Sequence, residues 1–194
     1  MGLALLGVFA VLSMMALSGC LTRVLVYPAP GLPVPKAKPP LEEIELLSAS
    51  GHRIVAWAYT PPKASPGAPV LLYFHGNGEN LQTLEMSGIL GSLRELGLPF
   101  LAVDYPGYGR SSGKPSEKGV LEAADAAVAW CGNRKVIPFG WSLGAAVAVQ
   151  AAARHPDRAR ALVLCSPWTS LPEVAQVHYP RWLVWMILSE RYDS

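Results

Sequence analysis

Lys135-Val-Ile-Pro-Phe139 runs without a spacer into Gly140-Trp141-Ser142-Leu143-Gly144, and that into an Ala-rich stretch ending at Arg154. An apolar strand thus meets a helix, and a serine stands at the junction. Ala145 to Ala153 propagates a helix well, because alanine has the best intrinsic helix propensity. The two flanking glycines have a steric reason: a side chain at either place collides with so tight a turn or with the neighbouring strand. A sharp strand-to-helix turn of the form Gly-x-Ser-x-Gly lifts the serine hydroxyl above the sheet edge, where it can act as a nucleophile. Five residues are modest evidence by themselves, so the rest of the chain has to agree.

Working outward, the chain alternates strand and helix. Ile44–Leu47 and Arg53–Thr60 read as two short strands joined by a Ser-Ala-Ser-Gly turn. Val70–Phe74 is a continuous apolar run, followed by a helix predicted from about Asn80 to Leu96. Phe100–Val103 is the next strand, Glu117–Trp130 the next helix, and Ala161–Cys165 the strand after the serine-bearing unit. Apolar runs without alternation, separated by helices, indicate parallel strands covered on both faces. The fold class is α/β, with a mostly parallel sheet and flanking helices.

Three segments then stand in a definite order: His75-Gly76-Asn77-Gly78 after one strand, Asp104-Tyr-Pro-Gly-Tyr-Gly-Arg-Ser111 after the next, and the Ser142 junction. Together they resemble the alpha/beta-hydrolase superfamily, in particular its serine-aminopeptidase-like, monoacylglycerol-lipase-like and acyl-protein-thioesterase-like branch. The resemblance runs from about Glu43 to the C-terminus. It implies Ser142 as the catalytic nucleophile, Gly140 and Gly144 as the glycines of its elbow, and an oxyanion hole made by the backbone N–H groups of Asn77 and Leu143. Two fixed donors aimed at a developing oxyanion need no reorganisation, and one alone is worth about 3–4 kcal/mol. No cofactor or metal is implied. His75 reads as a loop-shaping residue, since the triad histidine of this fold follows the elbow. Asp104 reads as a turn stabiliser, its short side chain bonding the Pro-Gly-Tyr-Gly backbone after it. Cys131 and Cys165 read as packed thiols, with a bridge between them the alternative.

Beyond the elbow the pattern departs from the family. Triad order is Ser, then Asp or Glu, then His, the last two on loops after later strands. Downstream stand the acids Asp157, Glu173, Glu190 and Asp193 and the histidines His155 and His178. His155 and Asp157 lie in a helix-ending His-Pro-Asp-Arg loop, away from the elbow. The position just after the 161–165 strand, where some relatives carry the acid, reads Ser166-Pro167-Trp168. A segment over 167–189 resembles the family's apolar cap, which places Glu173 and His178 on a cap rather than in a triad. A strand of the 161–165 kind, left last in its sheet, presents an open apolar edge of the sort natural proteins usually block. The expectation is therefore an alpha/beta-hydrolase domain over 42–194 lacking its last two strands. The implied activity is hydrolysis of ester, thioester or amide bonds through an acyl-enzyme on Ser142, with this truncated form inactive. The alternative is a non-catalytic membrane-attached lipoprotein or hydrolase remnant.

The N-terminal part carries a different signal. Gly2 to Thr22 holds no charged side chain, and its apolar run ends in Leu17-Ser18-Gly19-Cys20. That ending resembles the bacterial lipobox, which implies a signal peptide over 1–20, lipidation of Cys20 and a place in the bacterial cell envelope. A single uncleaved transmembrane anchor is the alternative, the run being of membrane-spanning length. Residues 21–41 form a proline-rich linker, with six prolines in the fourteen residues 27–40, either an extended spacer or a strip lying against the domain. Of all residues 51% are hydrophobic, enough for a core, and a net charge of +2 without a basic run speaks against nucleic acid as a partner. The partners expected are a small-molecule or acyl substrate, and the membrane through the N-terminus.

Overall fold

The computed structural model describes residues 24–188 and 190–192. Cys20, the apolar run before it and Asp193 lie outside the described residues. Six strands form one sheet: β1 (Glu42–Leu47), β2 (Arg53–Tyr59), β3 (Val70–Phe74), β4 (Phe100–Val103), β5 (Val136–Trp141) and β6 (Val163–Cys165), in the order β1-β2-β4-β3-β5-β6. The β3–β4, β3–β5 and β5–β6 pairs are parallel, while β1–β2 and β2–β4 are antiparallel.

The unbroken apolar run of β3 follows from its place inside the sheet. All five of its residues are buried, and successive side chains point to opposite faces. Val70, Leu72 and Phe74 join Ile54, Leu101 and Val103 on one face, where α3 (Glu117–Trp130) and α4 (Leu143–Arg154) contribute Val120, Ala124, Ala146 and Val147. Leu71 and Tyr73 join Val55, Trp57 and Phe100 on the other, which α1 (Leu81–Met86) and α2 (Ile89–Glu95) cover with Leu81, Leu84, Leu90 and Leu93. Helices this short are unstable alone. Burying each leucine contributes roughly 1.5–3 kcal/mol, so docking on the sheet holds them.

The single helix expected over 80–96 is thus two. Asn80 caps α1 through a reciprocal capping box with Thr83, and Gly88 then takes a left-handed φ of 81° that ends the first helical path and starts the second. The proline-rich segment packs on the domain through Tyr27, Val34 and Leu41, all buried. The strand expected at 161–165 is shorter and barer than predicted. Only Val163–Cys165 pairs, with β5 alone among the described residues, and Leu162 and Val163 are 40% and 37% exposed. Its sequence is that of an inner strand, but no described strand lies beyond it. Cys131 and Cys165 are free thiols, the first buried with its Sγ 3.3 Å from the Ala127 carbonyl it caps.

Candidate active site

Ser142 sits between β5 and α4 with φ 52° and ψ −114°, a left-handed backbone that non-glycine residues seldom adopt. Such a conformation costs about 1–3 kcal/mol and persists only where its surroundings impose it. Here the glycines impose it. A Cβ on Gly140 would lie 1.9 Å from the Gly144 carbonyl oxygen, and one on Gly144 would lie 1.9 Å from that of Phe74. The first turn of α4 therefore rests directly on the end of β3. The Ser142 N–H donates to Cys165 O at 2.9 Å, tying the turn to β6 as well.

That packing sets the elbow beside the loop after β3. Asn77, Ser142 and Leu143 line one cavity of about 460 Å³, within the usual range for small-molecule sites. Neither the Asn77 N–H nor the Leu143 N–H is engaged by an acceptor among the described residues. The remaining walls are mostly apolar and include Leu25, Val26, Trp168, Leu171, Leu183 and Val184. The last four come from the segment that contains α5 (Leu171–Gln176) and α6 (Arg181–Ile187), the stretch read as a cap. The contribution of Leu25 and Val26 was not legible in the sequence, because no local pattern says where a proline-rich strip returns to the domain.

The loop after β3 is held by the loop after β4. Tyr105 Oη donates to His75 O and Tyr108 Oη to Asn77 O, each at 2.8 Å. Burial pushes both phenols well above their ordinary range, so they remain protonated donors. Asp104 does not bond the turn that follows it; its Oδ1 accepts the Leu81 N–H at 3.0 Å, at the start of α1. The carboxylate faces inward because Gly109, with φ 52°, has no side chain: a Cβ there would come within 2.0 Å of Asp104 Oδ2. His75 is fully buried beneath the same loop. The roles of the two tyrosines are not legible in the sequence, since their spacing does not reveal which carbonyls they reach.

The downstream candidates divide by place. His155 caps the far end of α4, about 20 Å along the helix from Ser142. There its Nε2 lies 2.8 Å from Asp125 Oδ1, and Arg154 joins the same carboxylate. The Asp157 backbone carbonyl accepts from Lys135 Nζ at 2.6 Å. Glu173 accepts from Thr169 Oγ1 in the first turn of α5, and Glu190 accepts from Tyr27 Oη and, at 3.0 Å, from the Glu117 N–H. Only His178 among these lines the cavity with Ser142. The imidazole–carboxylate pairs within 4 Å among the described residues are His75–Asp104 and His155–Asp125, and neither includes His178.

The family model for the alpha/beta hydrolase fold matches residues 69–193, from the start of β3 past the cap-like segment. The chain belongs to the alpha/beta-hydrolase fold family. A Mycobacterium tuberculosis protein of uncharacterised function is 37% identical to this hydrolase-fold chain over 182 residues, 89% of this chain and 62% of that one. The zebrafish lysophosphatidylserine lipase ABHD12 is 35% identical over 117 residues, 57% of this chain and 31% of the lipase. Among solved structures, the Pyrococcus furiosus esterase Pf2001 superposes with a TM-score of 0.62 at 19% identity, covering 82% of this chain and 68% of the esterase. The chain spans about three fifths of the length of the mycobacterial relative.

Proposed function

We propose that this chain supplies the nucleophile, the oxyanion donors and the acyl-side cavity of a serine hydrolase acting on ester, thioester or amide bonds. The observation that carries the reading is the strained Ser142 elbow, packed so that Ser142, Asn77 and Leu143 line one cavity, with no acceptor among the described residues for the Asn77 and Leu143 N–H groups. In this reading Ser142 Oγ attacks the acyl carbon and its proton passes to a base. The carbonyl oxygen becomes an oxyanion facing the two N–H donors, and the leaving group takes the proton as the tetrahedral intermediate collapses to an acyl-enzyme. Leu143 opens a twelve-residue helix, whose N-terminal partial positive charge favours the same oxyanion. Water then repeats the sequence and frees Ser142.

The described residues bring no paired base and acid to the cavity. His178 has no carboxylate within 4 Å among the described residues, and His75 is turned away under its loop. This favours low turnover by residues 1–194 alone, and it is the observation behind the second reading, a non-catalytic envelope protein that keeps the fold. The acyl side has its own test. Each buried methylene contributes about 0.8 kcal/mol, so the chain is expected to bind octanoate at least about tenfold more tightly than butyrate by isothermal titration calorimetry. Equal affinities, or octanoate binding that a bulky Val184→Trp change leaves untouched, count against an acyl cavity.

We further propose that Cys20 carries lipid and holds the domain at a membrane of the bacterial envelope. No helix among the described residues is long and apolar enough to cross a membrane, and the support is the uncharged run from Gly2 to Thr22 ending in Leu-Ser-Gly-Cys. Intact-mass analysis of membrane fractions of bacteria expressing the full chain is expected to show a diacylglyceryl-modified chain beginning at Cys20. An unmodified chain beginning at Met1 supports the uncleaved-anchor alternative instead.

A further inference from the structure

The side chains that hold the loop after β3 leave one proton to be placed. His75 Nδ1 lies 2.7 Å from the Gly76 carbonyl oxygen, which can only accept, so Nδ1 carries a proton. The other ring nitrogen, Nε2, lies 3.4 Å from Asp104 Oδ1, and both side chains are fully buried. With only the Nδ1 proton present, a lone pair of the ring would face a carboxylate, in a place where unpaired polar atoms are costly. Nε2 and Asp104 Oδ2 have no hydrogen-bond partner among the described residues. A second proton, on Nε2, turns this repulsion into an ion pair. The surroundings suit that charge. Asp104 Oδ1 accepts the Leu81 N–H at 3.0 Å, and the Tyr105 ring centroid lies 4.2 Å from that of the imidazole, a π system beside the cation. The other acidic group at this loop, Glu79, is occupied by the Gly76 N–H at 2.7 Å.

The consequence falls on Asn77. Its N–H belongs to the same planar peptide as the Gly76 carbonyl, and in a trans peptide the two point in opposite directions. Pinning Gly76 O with the His75 ring therefore sets the direction of the Asn77 N–H. The carbonyls on either side are held by Tyr105 and Tyr108, so three successive carbonyls, 75 to 77, each have a side-chain donor.

We propose that His75 is a positioning residue, held as an imidazolium by a buried ion pair with Asp104, and that its ring aims the Asn77 N–H into the Ser142 cavity. The proposal deepens the oxyanion reading of Asn77 and rests on it for its purpose, though the ion pair and the loop order are measurable without turnover. In the chain labelled with ¹⁵N at histidine, near neutral pH, both ring nitrogens of His75 are expected to show one-bond couplings to protons. In Asp104→Asn the Nε2 proton is lost and the Nδ1 proton stays. Backbone relaxation reads the aim of the loop: the order parameter of the Asn77 amide is expected near 0.85 in the wild type and below about 0.6 in His75→Phe, which removes the Nδ1 donor to Gly76 O, with Phe74 and Leu143 unchanged. Ser142→Ala, which removes the nucleophile, leaves both signals as they are, so an inert chain does not obscure the result. A wild-type His75 lacking the Nε2 proton overturns the ion pair and needs no variant to fold. An Asn77 amide equally ordered in His75→Phe overturns the positioning role.

Discussion

Gly144→Ala is expected to destabilise the domain by on the order of 4–5 kcal/mol, at the severe end for a single added methyl group. The added Cβ falls 1.9 Å from the Phe74 carbonyl oxygen, 2.5 Å from its carbon and 2.8 Å from the His75 oxygen. All three are backbone atoms of β3 and its loop, so no side chain can swing aside. Relief requires α4 to lift from β3, and that strips the burial of Ala146, Val147 and Ala151 on the central face. With stabilities of small domains at about 5–15 kcal/mol, the loss takes a large share of the total. In urea the midpoint should fall by roughly 2 M at an ordinary slope. Gly67→Ala, where a Cβ meets nothing within 4 Å, serves as the control and should stay within about 0.5 kcal/mol of the parent. A Gly144→Ala midpoint as close to the parent as the control's would mean that the elbow is looser than this packing.

The second large effect concerns turnover. Continuing the chain past residue 194 with the C-terminal part of the mycobacterial relative is expected to raise hydrolysis of p-nitrophenyl butyrate about 10⁴-fold or more. Loss of a single triad member costs on the order of 10⁴ to 10⁶ in rate, and among the described residues the cavity holds no histidine–carboxylate pair. The same extension gives β6 a neighbour, covering Leu162 and Val163, so the extended protein should also be less prone to associate through that edge. Reading the gene past codon 194 is the inexpensive companion: a frame encoding strand, acid, strand and histidine favours the enzyme, and its absence favours the non-catalytic reading.

The elbow was legible because its constraint is local: the 1.9 Å contacts at Gly140 and Gly144 admit only glycine. The runs at 70–74 and 100–103 were legible because a strand covered on both faces must be apolar throughout. The break at Gly88 carried a signal, a Ser-Gly pair inside a helical stretch, that the run of leucines outweighed. The partner of Asp104 and the reach of Tyr105 and Tyr108 were not legible, because they depend on how two loops from adjacent strands meet above the sheet. The wall made by Leu25 and Val26 lay further still, depending on a chain return of more than a hundred residues to Ser142.

The most direct test of the central claim is peptide mapping by mass spectrometry after reaction with a fluorophosphonate. The extended protein should carry the adduct on Ser142, lose it together with ester turnover in Ser142→Ala, and outpace the 194-residue chain by several orders of magnitude. An adduct on another residue, or turnover that survives Ser142→Ala, would contradict Ser142 as the nucleophile.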